Sequence, residues 1–386
     1  MKAGLLILLM LPFLLSGCLE NPVGPLYTAS ESLPRYDQPA FQQYVDETRE
    51  WIEKNRYFLT TARETELAVN TPFELRPSQE TRPGRGILLV HGLGDSPGYF
   101  KDVAEVLVRE GFLVRAMLLP GHGTRPADLM LPSVEDWKNA VAHQVALLSE
   151  EVDEVWLGGF STGANLVTAY ALQSEEVGGL LLFSPGFVPR QKRIALASVA
   201  NLFIDWVDVD EPANNYMRYE ALSANAVDLY YKTTQEVRSL LRWKGFDKPA
   251  LVVMSRDDSI IDPYGVLDIF EKRFSHKGSR FVWYGPSPGT SDARVISRPT
   301  RLPEQRISSF SHLCVLFSPG HPYYGQNGTI IMLDNGQHLS VSGPAREDLW
   351  YSAYGYTEPD KFHARLTWNP YFDELVSEVR SLVNRR

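Results

Sequence analysis

The chain has 386 residues, 44% of them hydrophobic, and a formal net charge of −9 at neutral pH. That length is more than one α/β domain needs, so it leaves room for a large core with insertions. A modestly acidic protein is a poor nucleic-acid binder. The sequence contains no Walker phosphate-binding loop, no zinc-ligand spacing and no internal repeat. We therefore expect no nucleic-acid partner, no metal and no other cofactor.

The first residues are typical of a bacterial lipoprotein signal peptide. Lys2 supplies a positive charge, and the apolar stretch 5–15 is too short to span a bilayer comfortably. Leu15-Ser16-Gly17-Cys18 then resembles a lipobox, in which Cys18 becomes the lipid-modified first residue of the mature protein. The resemblance implies a signal peptide at 1–17 and a lipid anchor in the cell envelope. Because no aspartate follows Cys18, it also implies an outer-membrane position facing the periplasm if the source is Gram-negative. An ordinary secretory peptide with an incidental cysteine is the alternative.

The next two segments precede the predicted core. Residues 18–37 are rich in proline and polar residues and are predicted to form a linker. Residues 38–85 are predicted to be an N-terminal extension with a helix from about Pro39 to Tyr57, since its apolar residues fall on one helical face.

The first part of the core is predicted at 86–183, where apolar runs alternate with amphipathic helical segments. This alternation predicts a largely parallel sheet covered by helices on both faces. The predicted strands are Ile87–Val90, Phe112–Leu118, Val155–Gly158 and Leu180–Phe183.

The alternation stops at 184–248, which we interpret as an inserted helical cap, with extra core helices as the alternative. This segment contains an apolar helix-like stretch, Ile194–Val207, and a second helical region from about Tyr219 to Trp243. The sheet resumes at Ala250–Met254, so 249–386 is predicted to be the second part of the core. Within it we expect a last strand at Phe281–Tyr284, a loop insertion at 285–306, a partly β-like C-terminal extension at 323–360 and a closing amphipathic helix around 372–382.

The pentapeptide Gly159-Phe160-Ser161-Thr162-Gly163 matches the pattern G-x-S-x-G between a predicted strand and a predicted helix. In that setting a serine sits on a sharp turn that exposes its hydroxyl. Side chains at either glycine would crowd the turn and keep the helix away from the strand. Ser161 is therefore the predicted nucleophile, and a helix-capping serine is the alternative.

A serine hydroxyl needs a base to accept its proton and an acid to orient that base. After a serine on such an elbow, the acid and then the histidine follow along the chain. The strand ending at Met254 is followed by Asp257 and Asp258. We assign the acid to Asp258, because Ile260 and Ile261 can then dock back on the core, and Asp257 is the second choice.

The base is expected after the last strand of the sheet. We assign it to His312, within Ser308-Ser309-Phe310-Ser311-His312-Leu313, and His321 is the second candidate, with a structural loop role favoured for it. The histidines that precede either the serine or the last predicted strand are His91, His122, His143 and His276.

Two backbone N–H groups are expected to stabilise the oxyanion. One should follow the nucleophile, at Thr162, and the other should lie in the loop after the first core strand, at Leu93. His91 is expected to brace that loop rather than to act in catalysis.

Together these motifs resemble the monoglyceride lipase, lysophospholipase and serine-aminopeptidase-like group of α/β hydrolases. The segments that carry the likeness are His91-Gly92-Leu93-Gly94, Pro120-Gly121-His122-Gly123, Gly159–Gly163 and Asp258-Ser259-Ile260-Ile261. The likeness runs from about Gly86 to His312 and departs from the group in two places. Thr162 replaces the more usual methionine or leucine, and Asp258 and His312 lie 54 positions apart, so an insertion must loop out between them.

The resemblance implies an α/β-hydrolase fold and a serine hydrolase that cleaves carboxylic esters bearing an acyl chain, through an acyl-enzyme on Ser161. Lysophospholipid, monoacylglycerol and short-chain esters all fit, and the stretch Ile194–Val207 either covers an acyl pocket or packs on the core. A serine aminopeptidase is the alternative, with cap acids to bind a substrate amine, namely Asp205, Asp208, Asp210 and Glu211. A non-enzymatic envelope lipoprotein on a hydrolase scaffold is the second alternative.

Overall fold

The computed structural model describes residues 21–78, 84–209, 215–336 and 344–384. The predicted signal peptide at 1–17 and Cys18 lie outside the described residues. The α-helices of the described residues are α1 Phe41–Asn55, α2 Arg63–Asn70, α3 Lys101–Arg109, α4 Val134–Ser149, α5 Thr162–Gln173, α6 Ala197–Ala200, α7 Ala224–Trp243, α8 Pro263–Arg273 and α9 Phe372–Val383. The strands are β1 Phe73–Leu75, β2 Arg85–Val90, β3 Phe112–Met117, β4 Glu154–Phe160, β5 Val177–Phe183, β6 Trp206–Asp208, β7 Leu222–Ser223, β8 Ala250–Ser255, β9 Arg280–Tyr284, β10 Val295–Arg298, β11 Leu349–Ser352 and β12 Phe362–Arg365.

Eight strands form the central sheet in the order β1-β3-β2-β4-β5-β8-β9-β10. The edge strand β1 runs antiparallel to β3, and every other neighbouring pair is parallel. Consecutive residues of β2 belong to different cores: Leu88 and Val90 pack with α4 and α5, whereas Ile87 and Leu89 pack with α3. A strand that is buried on both faces has a continuous run of apolar residues, which is why these strands could be predicted from the sequence. The predicted α/β-hydrolase fold is confirmed.

The structure adds a strand to the region predicted to be a loop insertion at 285–306. Val295–Arg298 forms β10, which pairs in parallel with β9 at the edge of the sheet. All four residues of β10 are only partly buried. An edge strand with one outer side in solvent does not need an apolar run, so periodicity gave no signal for it.

The longest helix of the predicted cap covers the sheet. The apolar face of α7 joins the same core as α4 and α5, through side chains such as Leu229 and Val237. On α5, the Asn165 Nδ2 donates to the hydroxyls of Thr233 and Thr234, at 3.1 and 3.2 Å. The segment 184–248 thus combines a core-packed helix with an outer part around α6.

The segment predicted to be a linker packs on the protein from residue 21 onward. The Ser30 backbone N–H and hydroxyl donate to the buried carboxylate of Asp128, at 2.6 and 3.0 Å. The Ala127 N–H donates to the Leu26 carbonyl at 3.1 Å. Polar and proline-rich composition indicated a lack of regular structure, but it carried no information about these long-range contacts.

The C-terminal region covers the other face of the sheet. The short strands β11 and β12 pair in parallel, and Leu349, Tyr351 and Ala364 from them are buried in the core that contains α3. α9 packs on the same face through Leu375 and Val379. No helix in the described residues has both the length and the apolar character that crossing a membrane requires.

One buried ion pair ties the N-terminal extension to the core. The Glu66 carboxylate accepts from Arg56 Nε at 2.9 Å and from the N–H groups of Leu59 and Thr60 at 3.0 and 2.6 Å. The other guanidinium nitrogens of Arg56 donate to the carbonyls of Gly123 and Tyr216. Both charged side chains are almost fully buried.

We expect Glu66→Gln to lower the free energy of unfolding by about 3 kcal/mol, because it leaves the buried Arg56 charge without its counter-ion. Glu64→Gln on the same helix is the matched control. Its exposed pair with Arg49 should contribute less than about 1 kcal/mol. Urea unfolding of both variants measures the difference, and equal losses would contradict a stabilising role for the buried pair.

Candidate active site

Ser161 lies on a strained turn between β4 and α5. Its backbone has φ 52° and ψ −113°, in a region that non-glycine residues rarely adopt. A Cβ at position 159 would lie 2.5 Å from the Ala164 nitrogen, and one at position 163 would lie 2.0 Å from the Val90 carbonyl oxygen. Both glycines are therefore required by the close approach of α5 to the strands, as the sequence predicted.

Asp258 and His312 meet at the carboxyl end of the sheet. His312 Nδ1 lies 2.6 Å from Asp258 Oδ2. The other oxygen of Asp258 accepts from the N–H groups of Ile260 and Ile261, at 2.8 and 2.9 Å. Asp258 is fully buried, as is Ile261, whereas Ile260 is exposed, so only one of the two isoleucines docks on the core. The carboxylate is thus held in one orientation toward the histidine.

The structure places the two second-choice residues elsewhere. The Asp257 carboxylate pairs with Arg256 at 2.6 Å and accepts from the Thr300 hydroxyl at 3.2 Å. His321 Nδ1 accepts from the Tyr324 N–H at 3.0 Å, within a cluster of aromatic rings. Neither side chain contacts the His312–Asp258 pair.

Two serine hydroxyls hold the backbone that carries His312. Ser184, the residue after β5, donates to the His312 carbonyl at 2.8 Å, and Ser255 at the end of β8 donates to the Phe310 carbonyl at 2.8 Å. Both serines are fully buried. These bonds fasten a loop from the far C-terminal part of the chain to the strand ends next to the elbow.

The histidine lies next to the elbow. The His312 ring packs on the ring of Phe160, the residue before Ser161, with 5.0 Å between centroids. Because Asp258 engages Nδ1, the Nε2 atom is the one available to accept a proton. Ser161, the predicted nucleophile, is 8% exposed.

The loop expected to supply an oxyanion donor is held by two neutral histidines. His91 Nε2 accepts from the Leu119 N–H at 3.1 Å, and His122 Nε2 accepts from the Gly94 N–H at 3.0 Å. Burial lowers the pKa of His91 to about 4, and burial followed by repulsion from His91 holds the pKa of His122 well below its usual value. Both rings therefore stay uncharged and act as fixed acceptors, and His91 braces the loop as expected.

The Gly94 peptide is also held from the cap side, because its carbonyl accepts from the Tyr219 N–H at 2.7 Å. With Gly94 fully engaged, the neighbouring Leu93 N–H and the Thr162 N–H donate to no other described residue. These are the two donors that the sequence assigned to the oxyanion. The Leu93 loop comes close to the elbow, since a Cβ at position 92 would lie 3.2 Å from the Ser161 Cβ.

Asp95 is a second buried carboxyl group at the site, and sequence reasoning did not identify it. A Cβ at Gly92 would lie 2.5 Å from Asp95 Oδ2 and 3.2 Å from the Ser161 Cβ. Burial raises the pKa of Asp95 to about 6, although Arg218, Tyr99 and His312 each draw it down. The raised pKa brings the protonation equilibrium of Asp95 toward neutral pH, near His312.

The cap residues proposed for substrate contact are exposed where the structure describes them. Asp205 is exposed and accepts from Asn21 Nδ2 at 2.7 Å, and Asp208 is also exposed. Asp210 and Glu211 lie outside the described residues. In the stretch Ile194–Val207, Leu202 and Phe203 are exposed and are not packed on the core. Among the described residues, no group of His, Cys, Asp or Glu side chains is arranged to hold a metal ion.

A model of the family described as serine aminopeptidase, S33, matches residues 81–285. This chain belongs to that family. It is accordingly an enzyme of the hydrolase class with an α/β-hydrolase fold. The matched S33 segment includes Ser161 and Asp258 and ends at residue 285, so His312 lies beyond it, after the loop insertion expected at 285–306.

Individual relatives are distant. A thermostable monoacylglycerol lipase from Bacillus sp. (strain H-257) is 24% identical over 198 residues, covering 48% of this chain and 75% of the relative. A structure from a study of two metagenome-derived lipolytic enzymes, LipS and LipT, is 22% identical with a TM-score of 0.48, covering 55% of this chain and 86% of that one. The monoacylglycerol lipase of Paleococcus ferrophilus is 18% identical with a TM-score of 0.46, covering 63% and 90%.

Asp95→Asn should reveal the raised pKa as a pH-dependent difference in stability. A carboxyl group whose pKa is raised by folding stabilises the protein fully below its unfolded value, and this stabilisation is lost as the pH rises through the folded value. Raising the pKa of Asp95 from its usual value to about 6 corresponds to about 3 kcal/mol of unfolding free energy. The free energy of unfolding of the variant, relative to wild type, should therefore increase by up to about 3 kcal/mol between pH 4 and pH 7.

Denaturant unfolding at pH 4, 5, 6 and 7 measures this difference. Asp37→Asn is the control, because its exposed carboxylate has a pKa lowered by Arg35 and should show no such increase. A pH-independent difference for Asp95→Asn would contradict the raised pKa.

Proposed function

We propose that this protein is a serine hydrolase that cleaves carboxylic esters through an acyl-enzyme on Ser161. The observation that carries the proposal is the His312–Asp258 pair, packed on the residue next to a serine in strained elbow geometry. A structural serine would not need that conformation, and a surface histidine would not need a buried carboxylate as its partner.

In this mechanism each group has one task. The Ser161 Oγ attacks the ester carbonyl carbon while His312 Nε2 accepts the hydroxyl proton. Asp258 holds the Nδ1–H tautomer of His312 and stabilises the imidazolium that forms. The N–H groups of Leu93 and Thr162 donate to the oxyanion.

When the tetrahedral intermediate collapses, the bond from the carbonyl carbon to the alcohol oxygen breaks, and the alcohol leaves with the proton from His312. Water then attacks the acyl-enzyme, with His312 again as the base, and releases the acid and free Ser161.

A lipid-derived ester is the substrate class that we favour, as a monoacylglycerol or a lysophospholipid. Support comes from the monoacylglycerol lipase named among the relatives and from the motifs that resemble that group. An aminopeptidase activity is suggested by the family description. It is less well supported, because Asp205 and Asp208 are exposed and the Asp205 carboxylate already accepts from Asn21. Hydrolysis rates on acyl esters and on aminoacyl amides distinguish the two substrate classes.

We also propose that Cys18 carries a lipid and holds the enzyme at the cell envelope, facing the periplasm if the source is Gram-negative. The support is the apolar stretch 5–15 followed by Ser16-Gly17-Cys18. Mass spectrometry of the mature N-terminus tests this assignment, and an unmodified residue other than Cys18 at that end would refute it.

A fluorophosphonate probe should label the wild-type protein at Ser161, and Ser161→Ala should be neither labelled nor active on a short-chain ester. The expected loss is at least about 10³-fold in kcat, because the nucleophile acts as one unit with its base. Peptide mapping of the labelled protein identifies the modified residue. Unchanged thermal unfolding of the variant is the control for folding, and near-wild-type turnover by Ser161→Ala would exclude this mechanism.

His312→Ala should reduce kcat about as strongly as Ser161→Ala, whereas His321→Ala should leave kcat within about tenfold of wild type. His321 accepts loop N–H groups and has no contact with Asp258, which makes it a matched control for the loss of a buried imidazole. Measuring kcat of both variants in parallel on a soluble ester shows which histidine is the base. The reverse ranking would move the base to His321.

A further inference from the structure

The outer part of the cap has an unusual distribution of polar and apolar side chains. A 3-10 helix, Lys192–Leu196, continues directly into α6. The side that faces α7 is polar or small: the Ser198 hydroxyl donates to Asp228, and Asn201 Nδ2 donates to Asn225 Oδ1 at 3.2 Å. Ala197 is buried between them.

The opposite side is apolar and faces outward. Leu196, Val199, Leu202 and Phe203 are 62, 56, 77 and 79% exposed. Leu196 ends the 3-10 helix, Val199 lies in α6, and Leu202 and Phe203 lie in the turn that follows α6. A surface helix normally buries its apolar face and exposes its polar one, so this arrangement is the reverse of the expected one. We call these four side chains the outer cap face.

The start of the described chain lies against the same part of the cap. Asn21 Nδ2 donates to Asp205 Oδ2 at 2.7 Å, and the Tyr27 ring packs edge-on against the Trp206 ring at 5.0 Å. Asp205 comes two residues after Phe203. Cys18 precedes Asn21 by three positions, a span of at most about 11 Å of extended chain. A lipid on Cys18 would therefore enter a membrane beside the outer cap face.

The charges at the edge of this face also suit a lipid surface. Lys192 and Arg193, both exposed, begin the helix that carries the face. Basic residues at the edge of an apolar surface attract anionic lipid headgroups. The carboxylate of Asp205, which also lies near this face in the sequence, accepts a hydrogen bond from Asn21.

We propose that the outer cap face is a membrane-docking surface that inserts into the same leaflet as the lipid on Cys18. A lipid on Cys18 holds only the start of the mature chain at the membrane, and the outer cap face adds a second contact with the bilayer. The second contact also fixes the orientation, with the cap toward the bilayer. The proposal rests on the proposed lipid anchor, and it adds a surface, an orientation and a route by which a lipid ester can reach the site.

The test uses the mature lipidated protein reconstituted into vesicles of phosphatidylethanolamine and phosphatidylglycerol. Leu202→Cys introduces a labelling site for an environment-sensitive fluorophore, while Cys314 is fully buried and Cys18 carries the lipid. Trp243→Cys is the matched control, because Trp243 is 84% exposed and ends α7, about 27 Å along that helix from Asn225. Nitroxide lipids should quench the label at 202 at least fivefold more than the label at 243.

A second measurement separates docking from catalysis. Leu202→Ser combined with Phe203→Ser should lower kcat/KM at least fivefold on a monoacylglycerol held in these vesicles and leave kcat/KM on a soluble short-chain ester unchanged. Trp243→Ser should change neither value. If the wild-type protein hydrolyses neither the monoacylglycerol nor the soluble ester, the result would instead contradict the proposed esterase function.

Equal quenching at positions 202 and 243 would overturn the proposal. A blue shift at 202 that occurs without vesicles and disappears on dilution would also overturn it, because a second copy of the chain would then cover the face. Protein that fails to float with vesicles and lacks a lipid in mass spectrometry would refute the anchor, and with it the shared-leaflet geometry.

Discussion

The left-handed backbone of Ser161 is the constraint on which the site depends. A residue with φ near 50° and ψ near −110° remains in that conformation only when its surroundings fix it on both sides. Here the Ser161 N–H donates to the Phe183 carbonyl on β5, and its carbonyl accepts from the Gly186 N–H, at 3.0 and 3.1 Å. The glycines at 159 and 163 then allow α5 to approach within contact distance of β2. The strain is thus balanced by the sheet itself, and the hydroxyl is held at the carboxyl end of the strands.

The same strand ends bind the loop that carries His312, the proposed base, from a distant part of the chain. Asp258 and His312 lie 54 positions apart, with α8, β9, β10 and a further loop between them, so sequence proximity cannot place the histidine. Buried hydroxyls place it instead, since Ser184 after β5 and Ser255 at the end of β8 bind the backbone of the histidine loop. This explains how a chain can carry an insertion between acid and base without losing the geometry of the pair.

The parts that could be predicted from the sequence are those set by local pattern. The apolar runs predicted the central strands because both faces of the sheet are buried, and the elbow pattern predicted Ser161 because only glycine fits beside it. Asp258 and His312 could be proposed from chain order. By contrast β10 is an edge strand with one side in solvent, and Asp95, Ser184 and Tyr219 acquire their positions through contacts between residues far apart in sequence. The apolar stretch Ile194–Val207 was recognised, but periodicity alone did not show that its apolar side faces outward.

The cap and the oxyanion loop are connected through a single peptide. The Gly94 N–H is held by His122 and its carbonyl is held by Tyr219, so the position of Leu93 depends on the part of the cap that carries Tyr219. That part continues through β7 into α7, and the first N–H of α7 donates to the Asp205 carbonyl, next to the outer cap face. A shift of the cap at Tyr219 would therefore act on the peptide next to Leu93, the proposed oxyanion donor. Because this donor acts mainly on the transition state, such a shift would change kcat more than substrate affinity.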